Sequence, residues 1–314
     1  MSEVAAPPLA RPRQRPRERP RLVDSEKWLG RLLLAPAISY IFLVVGVPFV
    51  LALFYSLTNV TVTGRHADFV GLDNFRAALA NPTFVRALGN TFIFAFASQA
   101  LVIVLASTLA IALQRNFRGK WLVRMLILLP WVAPISLGTI GWLWIFDPIY
   151  SVINWTLRAF HVLGVGEWPV WLGVPHLAKL SVILVQVWRT LPLATVILLG
   201  GLSSIPSEIH DAAEVDGAGF FRHLFQITLP LVLPIQLVAI LFGFVFAFTD
   251  MIVIYVLTRG GPYETTHVLA SVAFYKGIDG GDLAGGAAIA LFLFPVLAAA
   301  AVLILHFARR MEVA

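Results

Sequence analysis

Five polar side chains interrupt long apolar runs: Gln99, Gln186, Arg189, Thr249 and Asp250. Each is costly in hydrocarbon, so each must face a partner or a wet cavity. Arg189 and Asp250 are of opposite charge and can neutralise each other as a structural ion pair or line a path for a polar solute. Six rings, Trp131, Trp142, Trp144, Trp188, Phe246 and Phe248, lie in the same runs. Such rings stack on apolar faces of hydroxylated solutes, but at these depths most pack helices or mark the interface. Catalytic groups are scarce. The absence of cysteine excludes disulfides, thiolate metal sites and cysteine nucleophiles. Gly119-Lys120 lacks the upstream glycine spacing of a phosphate loop and is followed by Trp121. Neither His-Glu-x-x-His nor Gly-x-Ser-x-Gly occurs, and seven histidines are scattered without paired ligand spacing. The chain reads as neither an enzyme nor a metal protein.

The elements that must hold these residues are membrane spans. Of 314 residues 59% are hydrophobic and 13% charged, with mean hydropathy +0.85. A soluble domain is nearer half apolar and a quarter charged. Six apolar runs near or above bilayer length fall at 32–57, 89–113, 121–146, 177–202, 229–257 and 285–307. Prolines inside them are tolerated where bundle neighbours re-satisfy the backbone. The predicted fold is an all-α six-span bundle over 28–308, between a disordered basic tail at 1–27 and a C-terminal tail at 309–314. In the first tail, six arginines from Arg11 to Arg21 alternate with other residues, many of them prolines. This pattern suits anionic lipid better than nucleic acid, since it has no aromatic interleaving. No cleavable signal peptide is evident; the first apolar run is too long for a signal core. With the N-terminus inside, the inner segments carry 14 Lys/Arg and the outer ones 6. That places both termini and the segment 204–228 in the cytoplasm.

That segment opens the one long amphipathic interruption in the second half, SIPSEIHDAAEVDGAGFFRHLFQITLPLVLP. Pro206 suits a first helical turn and Glu208 its positive end. Ile209, Ala212 and Ala213 recur at helical spacing, and Gly217 marks a C-terminal cap. A second helical pattern, with Phe221, Leu224 and Phe225 as its stripe, is expected to end before Pro230. On pattern alone this is either a surface loop or an element that docks in a partner's groove.

The run Asp211-Ala212-Ala213-x-x-Asp216-Gly217-Ala218, then Phe225, Leu229-Pro230 and Pro234, resembles the "EAA" loop of ABC importer permeases. Asp211 stands where that family usually has glutamate. Further likenesses come in order: Phe69-Val70-Gly71-Leu72-Asp73-Asn74-Phe75 before a short helix at 75–80, Arg86-Ala87-Leu88-x-Asn90-Thr91, Leu129-Pro130, and Leu257-Thr258-x-Gly260-Gly261-Pro262. Together they are similar to the maltose, lactose and glycerol-phosphate branch. The resemblance implies a transport subunit with a cytoplasmic coupling helix, in the cell (inner) membrane, for a sugar or sugar derivative. It implies four partners: a second permease, a dimeric ATPase that binds the ATP and Mg, an extracytoplasmic solute-binding protein, and the lipid around them. It also makes Asp211, Ala212, Ala213, Asp216, Gly217 and Ala218 the ATPase contact. It points to Thr249 and Asp250 on the solute path, where Arg189, Gln186, Trp188 and Phe246 join them. An importer of a non-sugar solute, an ion-coupled secondary transporter and a membrane enzyme are the rival readings.

Overall fold

The computed structural model describes residues 26–64, 66–164 and 166–312. Contacts divide the chain after Leu51. The first unit holds α1 (Glu26–Ile41), a π-helical turn at Phe42–Gly46 and the start of α2 (Val47–Ser56). The apolar helical run Trp28–Ser56 is 29 residues long, enough to cross a bilayer. The basic tail expected over 1–27 lies outside the described residues as far as residue 25, and Glu26 already begins the helix.

The second unit, from Ala52, holds α3 (Asp73–Ala80), α4 (Pro82–Gln114), α5 (Lys120–Val132), α6 (Ile135–Ile145), α7 (Val152–Ala159) and α8 (Pro175–Ser203). Next come α9 (Ser207–Val215), α10 (Phe220–Arg222), a π-helical turn at His223–Thr228 and α11 (Leu229–Thr249). The chain ends with α12 (Ile252–Leu257), α13 (Leu269–Phe274), α14 (Leu283–Leu291) and α15 (Leu293–Glu312). Among the described residues five helices are long and apolar enough to span, and the bent pair α5–α6 makes a sixth if it crosses as one. Among the described residues the only β feature is an isolated bridge between Thr58 and Phe69.

Two spans differ most from the sequence expectation, one of them at both ends. The run over 121–146 is broken by 99° between Val132 and Ile135. Ala133 is extended at ψ 143, the conformation that the following Pro134 imposes on it. The span expected to start at 229 begins at Phe220, so Pro230 does not end the preceding helical pattern. The π-helical turn just before Pro230 widens the backbone where its missing amide would otherwise break the ladder. The same span, expected to reach 257, stops at Thr249, because Asp250 is extended and its carboxylate starts a new helix. Asn81-Pro82, expected as a turn, caps α4: the Asn81 side chain accepts from Thr83 N at 2.8 Å. The tail expected from 309 is helical to Glu312.

Lipid tails are as apolar as leucine, so these helices associate through close packing rather than through the hydrophobic effect. Small residues supply that closeness. Ala106 and Ala110 of α4, fully buried, meet Val187, Ala194 and Leu198 of α8 and Ala239 of α11. A Cβ on Gly243 would fall 2.3 Å from the Gln99 side chain, and one on Gly201 2.9 Å from Ile235. The α4–α8–α11 core is therefore the frame on which both candidate sites are mounted.

Candidate functional site

One site lies at the loop between the fourth and fifth spans. Helix α9 ends in a Schellman cap: Gly217 N donates to Glu214 O at 3.0 Å and Ala218 N to Ala213 O at 2.9 Å. Gly217 has φ +70, which only glycine adopts without strain, and no heavy atom lies within 4 Å of where its Cβ would be. The cap turns the chain from α9 into α10, and the two arms of this hairpin meet where α9 reaches the π-helical turn after α10. Ala213 faces inward at 5% exposure, while Asp211, Ala212, Asp216 and Gly217 are exposed and Ala218 is half-buried. The small-residue face is thus divided, with Ala213 serving this chain's own packing and Ala212 free for another's. Glu208, Asp211, Glu214 and Asp216 make the outer surface acidic, beside Val215 at 87% exposure and the exposed Phe220 and Phe221.

The hairpin also brings together two side chains that sequence spacing did not pair. His210 Nδ1 lies 2.9 Å from His223 Nε2, and Thr228 Oγ1 lies 3.3 Å from the other nitrogen of His223. They sit seven residues before and six after Gly217, the two arms of one turn. That near-symmetry about the glycine was the available signal; a search for ligand spacing along a single helix could not see it.

The second site lies within the bundle. Arg189, midway along α8, donates through Nη1 to Asp250 Oδ2 at 2.6 Å. Asp250 uses its other oxygen to accept from Ile252 N at 2.8 Å, which starts α12. The carboxylate therefore pairs the charge and caps a helix at once. Helix ends at mid-bundle are tolerated only against protein or a wet cavity. Here two of them, the α5–α6 bend and the α11–α12 break, adjoin the same region, since Trp131 beside the bend stacks edge-on with Phe246 at 5.3 Å.

The other expected path residues divide. Thr249 is exposed, with its hydroxyl returned to Val245 O, and Trp188 and Phe246 are half-buried. Gln186 is 2% exposed, and neither polar atom of its amide has a partner among the described residues. Trp142 packs between Phe146 and Trp188. Phe248 is fully buried against Phe244 and Phe92, so it is core. Gln99 lies over Gly243 and donates to Ile240 O, at the α4–α11 crossing rather than beside the ion pair. Among the described residues no group of three or more His, Asp or Glu side chains could hold a metal ion.

Residues 102–313 match the family model described as "Binding-protein-dependent transport system inner membrane component". That is most of the chain, from the middle of α4 onward. The chain belongs to this family. It is a multi-pass membrane protein and a transport subunit, and its all-helical bundle is the importer permease fold. It is similar to the trehalose/maltose transport system permease protein MalF of Thermococcus litoralis, 32% identical over 276 residues that cover 87% of this chain and 91% of that one. The sulfoquinovosyl glycerol transport system permease protein SmoG of Agrobacterium fabrum is 30% identical, covering 86% of each chain. The sn-glycerol-3-phosphate transport system permease protein UgpA of Pectobacterium atrosepticum is 28% identical, covering 92% and 97%. In shape the family member superposes on a chain of a bacterial ABC transporter that imports alginate, with TM-score 0.76 over 90% of this chain and 96% of that one, at 20% identity. That likeness speaks to the fold alone.

Proposed function

We propose that this permease imports a sugar or sugar derivative, delivered outside by a solute-binding protein and driven inside by an ATPase docked on the 204–228 hairpin. The observation that carries the docking is the hairpin's outer surface. Four carboxylates and Val215 stand on α9 or at its cap, and the exposed Phe220 and Phe221 follow on α10, just past the end that Gly217 fixes. Carboxylates at the rim and an apolar centre suit a protein cleft. In this reading Asp211 and Asp216 meet the rim of the cleft, and Ala212 allows the backbone to approach. ATP and Mg belong to the partner ATPase, since the chain's own Gly119-Lys120 is not a phosphate loop. A second permease completes the path. Both termini and the hairpin lie in the cytoplasm, as the lysine and arginine bias favours.

The sugar reading rests on the relatives, whose names include trehalose/maltose and sulfoquinovosyl glycerol transport. It gains support from the second site. Trp131, Trp188 and Phe246 offer ring faces, Thr249 and Gln186 offer hydrogen-bonding groups, and the Arg189–Asp250 pair ties the α11–α12 break to α8. A rocking motion that opened Gln186 to the solute would satisfy an amide that is unpartnered here. The solute then shifts the balance between states through its different affinity for each.

The test is uptake of a labelled disaccharide panel into proteoliposomes holding the two permeases and the ATPase, with the binding protein outside. ATP trapped inside should be required. Uptake that persists without ATP and follows an ion gradient would overturn the reading in favour of a secondary transporter.

A further inference from the structure

The fifth span is one helical run from Phe220 to Thr249, with the α9 hairpin at one end and the Arg189–Asp250 pair at the other. From His223 to Asp250 that is roughly 40 Å of helix. Motion at the hairpin reaches the ion pair along this rod only if α9 is fastened to the rod's base. The chain connection is a weaker fastening: the Schellman cap ties Gly217 and Ala218 back to α9 only, and Gly219, which leads into α10, has open space where a Cβ would be.

The His210–His223 contact is the stiffer link. It joins the middle of α9 directly to the first residue of the π-helical turn, with ring centroids 4.9 Å apart and planes tilted by 33°. Thr228, buried at the far end of the same turn, touches the second nitrogen of His223 and so fixes its ring. A π-helical turn is a mid-helix irregularity that often sits at functional points. Here a side-chain bridge crosses it from Thr228 to His223 and continues to α9.

We infer that His210 and His223, steadied by Thr228, form the joint through which the docked α9 drives the fifth span as one rigid body. Both histidines are positioning residues, and the inference rests on the coupling reading above. The joint needs a hydrogen bond at about the reach of an imidazole, so His223→Ala should break it and His223→Gln, whose amide nitrogen replaces Nε2, should keep it.

The chain has no cysteine, so spin labels can be placed in pairs without background from it. Ser207, Phe242 and Thr108 are exposed sites on α9, α11 and α4, none of them a proposed contact or path residue. In the complete complex, pulsed EPR distances are compared between the nucleotide-free state and the state trapped with ADP and vanadate. In the wild type the 207–242 distance should hold while the 108–242 distance shifts. In His223→Ala the ratio of shifted to unshifted molecules at the 108–242 pair should fall about fivefold, the weight of one hydrogen bond. In His223→Gln the shift should return. A wild type that ignores trapping at both pairs overturns the coupling reading and the joint with it. A wild type that responds, with His223→Ala responding equally, overturns the joint alone.

Discussion

Separating Arg189 from Asp250 should be far worse than removing both. Asp250 is 5% exposed at its side chain and Arg189 20%, and they meet at 2.6 Å. Losing one partner of a buried pair costs about 3–5 kcal/mol, because the survivor is left buried and charged. Arg189→Ala strands the more buried carboxylate and should cost about 4 kcal/mol. Asp250→Ala strands a guanidinium whose long stem can turn its head toward water, which lowers that part to about 2 kcal/mol. It also removes the acceptor for Ile252 N, adding about 1 kcal/mol. Independent effects would sum to about 7 kcal/mol, whereas the double variant, with no stranded charge, should cost about 2, from the unpaired Ile252 N and the lost packing of the arginine stem. The assay is equilibrium unfolding of the purified chain by sodium dodecyl sulfate in mixed micelles, read as a double-mutant cycle. Asp250→Asn should recover about 1 kcal/mol over Asp250→Ala, since it keeps the helix-starting oxygen. A double variant that costs the full sum would refute the argument that the pair neutralises itself in this structure.

Other outcomes follow from single contacts. Gly217→Val places a β-branched residue at φ +70, at a cost of at least about 1–2 kcal/mol to the cap, and should abolish most uptake while the chain stays in the membrane; wild-type uptake would sink the docking proposal. Gly286→Ala would put a Cβ 2.5 Å from Gly277 Cα, backbone against backbone, so folded yield in detergent should drop by an amount matching about 1–3 kcal/mol. Burial holds His267 below its ordinary value of 6.5, although Glu264 pulls the other way. The unfolded chain therefore takes up the proton first. The stability of the 258–267 loop should be intact above pH 6.5 and decline as pH falls below it toward the lowered folded value. Thermal unfolding of wild type and His267→Gln from pH 8 to 5 should diverge at the acid end, and parallel curves would contradict this.

The sequence told most about whatever depends on local polarity and punctuation. Apolar runs located the spans, Gly217 announced the end of α9, and the residues on both sides of it carried the family resemblance. What escaped depends on contacts between elements. Pro130, Pro134 and Pro230 all read as prolines within or bounding apolar runs, yet one bends the chain by 99° and another lies inside a continuous helix. The difference lies in the neighbouring backbone, an extended Ala133 in one case and a π-helical turn in the other. Arg189 and Asp250 were legible as an opposite-charge pair, but the capping role of Asp250 depends on Ile252 N, and no spacing rule reveals a helix break that the carboxylate itself creates. Phe248 and Phe246 are two residues apart in one apolar run, and only packing makes the first core and the second a ring beside Trp131.

The central claim is that α9 docks on a nucleotide-hydrolysing partner, and Val215 is placed to report it. At 87% exposure it stands on the outer surface of the hairpin, in a chain otherwise free of cysteine. Val215→Cys, carrying a short photoactivatable thiol reagent in the assembled complex, should yield one adduct, with the ATPase subunit. The same reagent on Tyr263→Cys, in the exposed loop beyond α12, should yield none with it. An ATPase adduct from position 263 and not from 215 would contradict both the docking site and the orientation of the chain in the membrane.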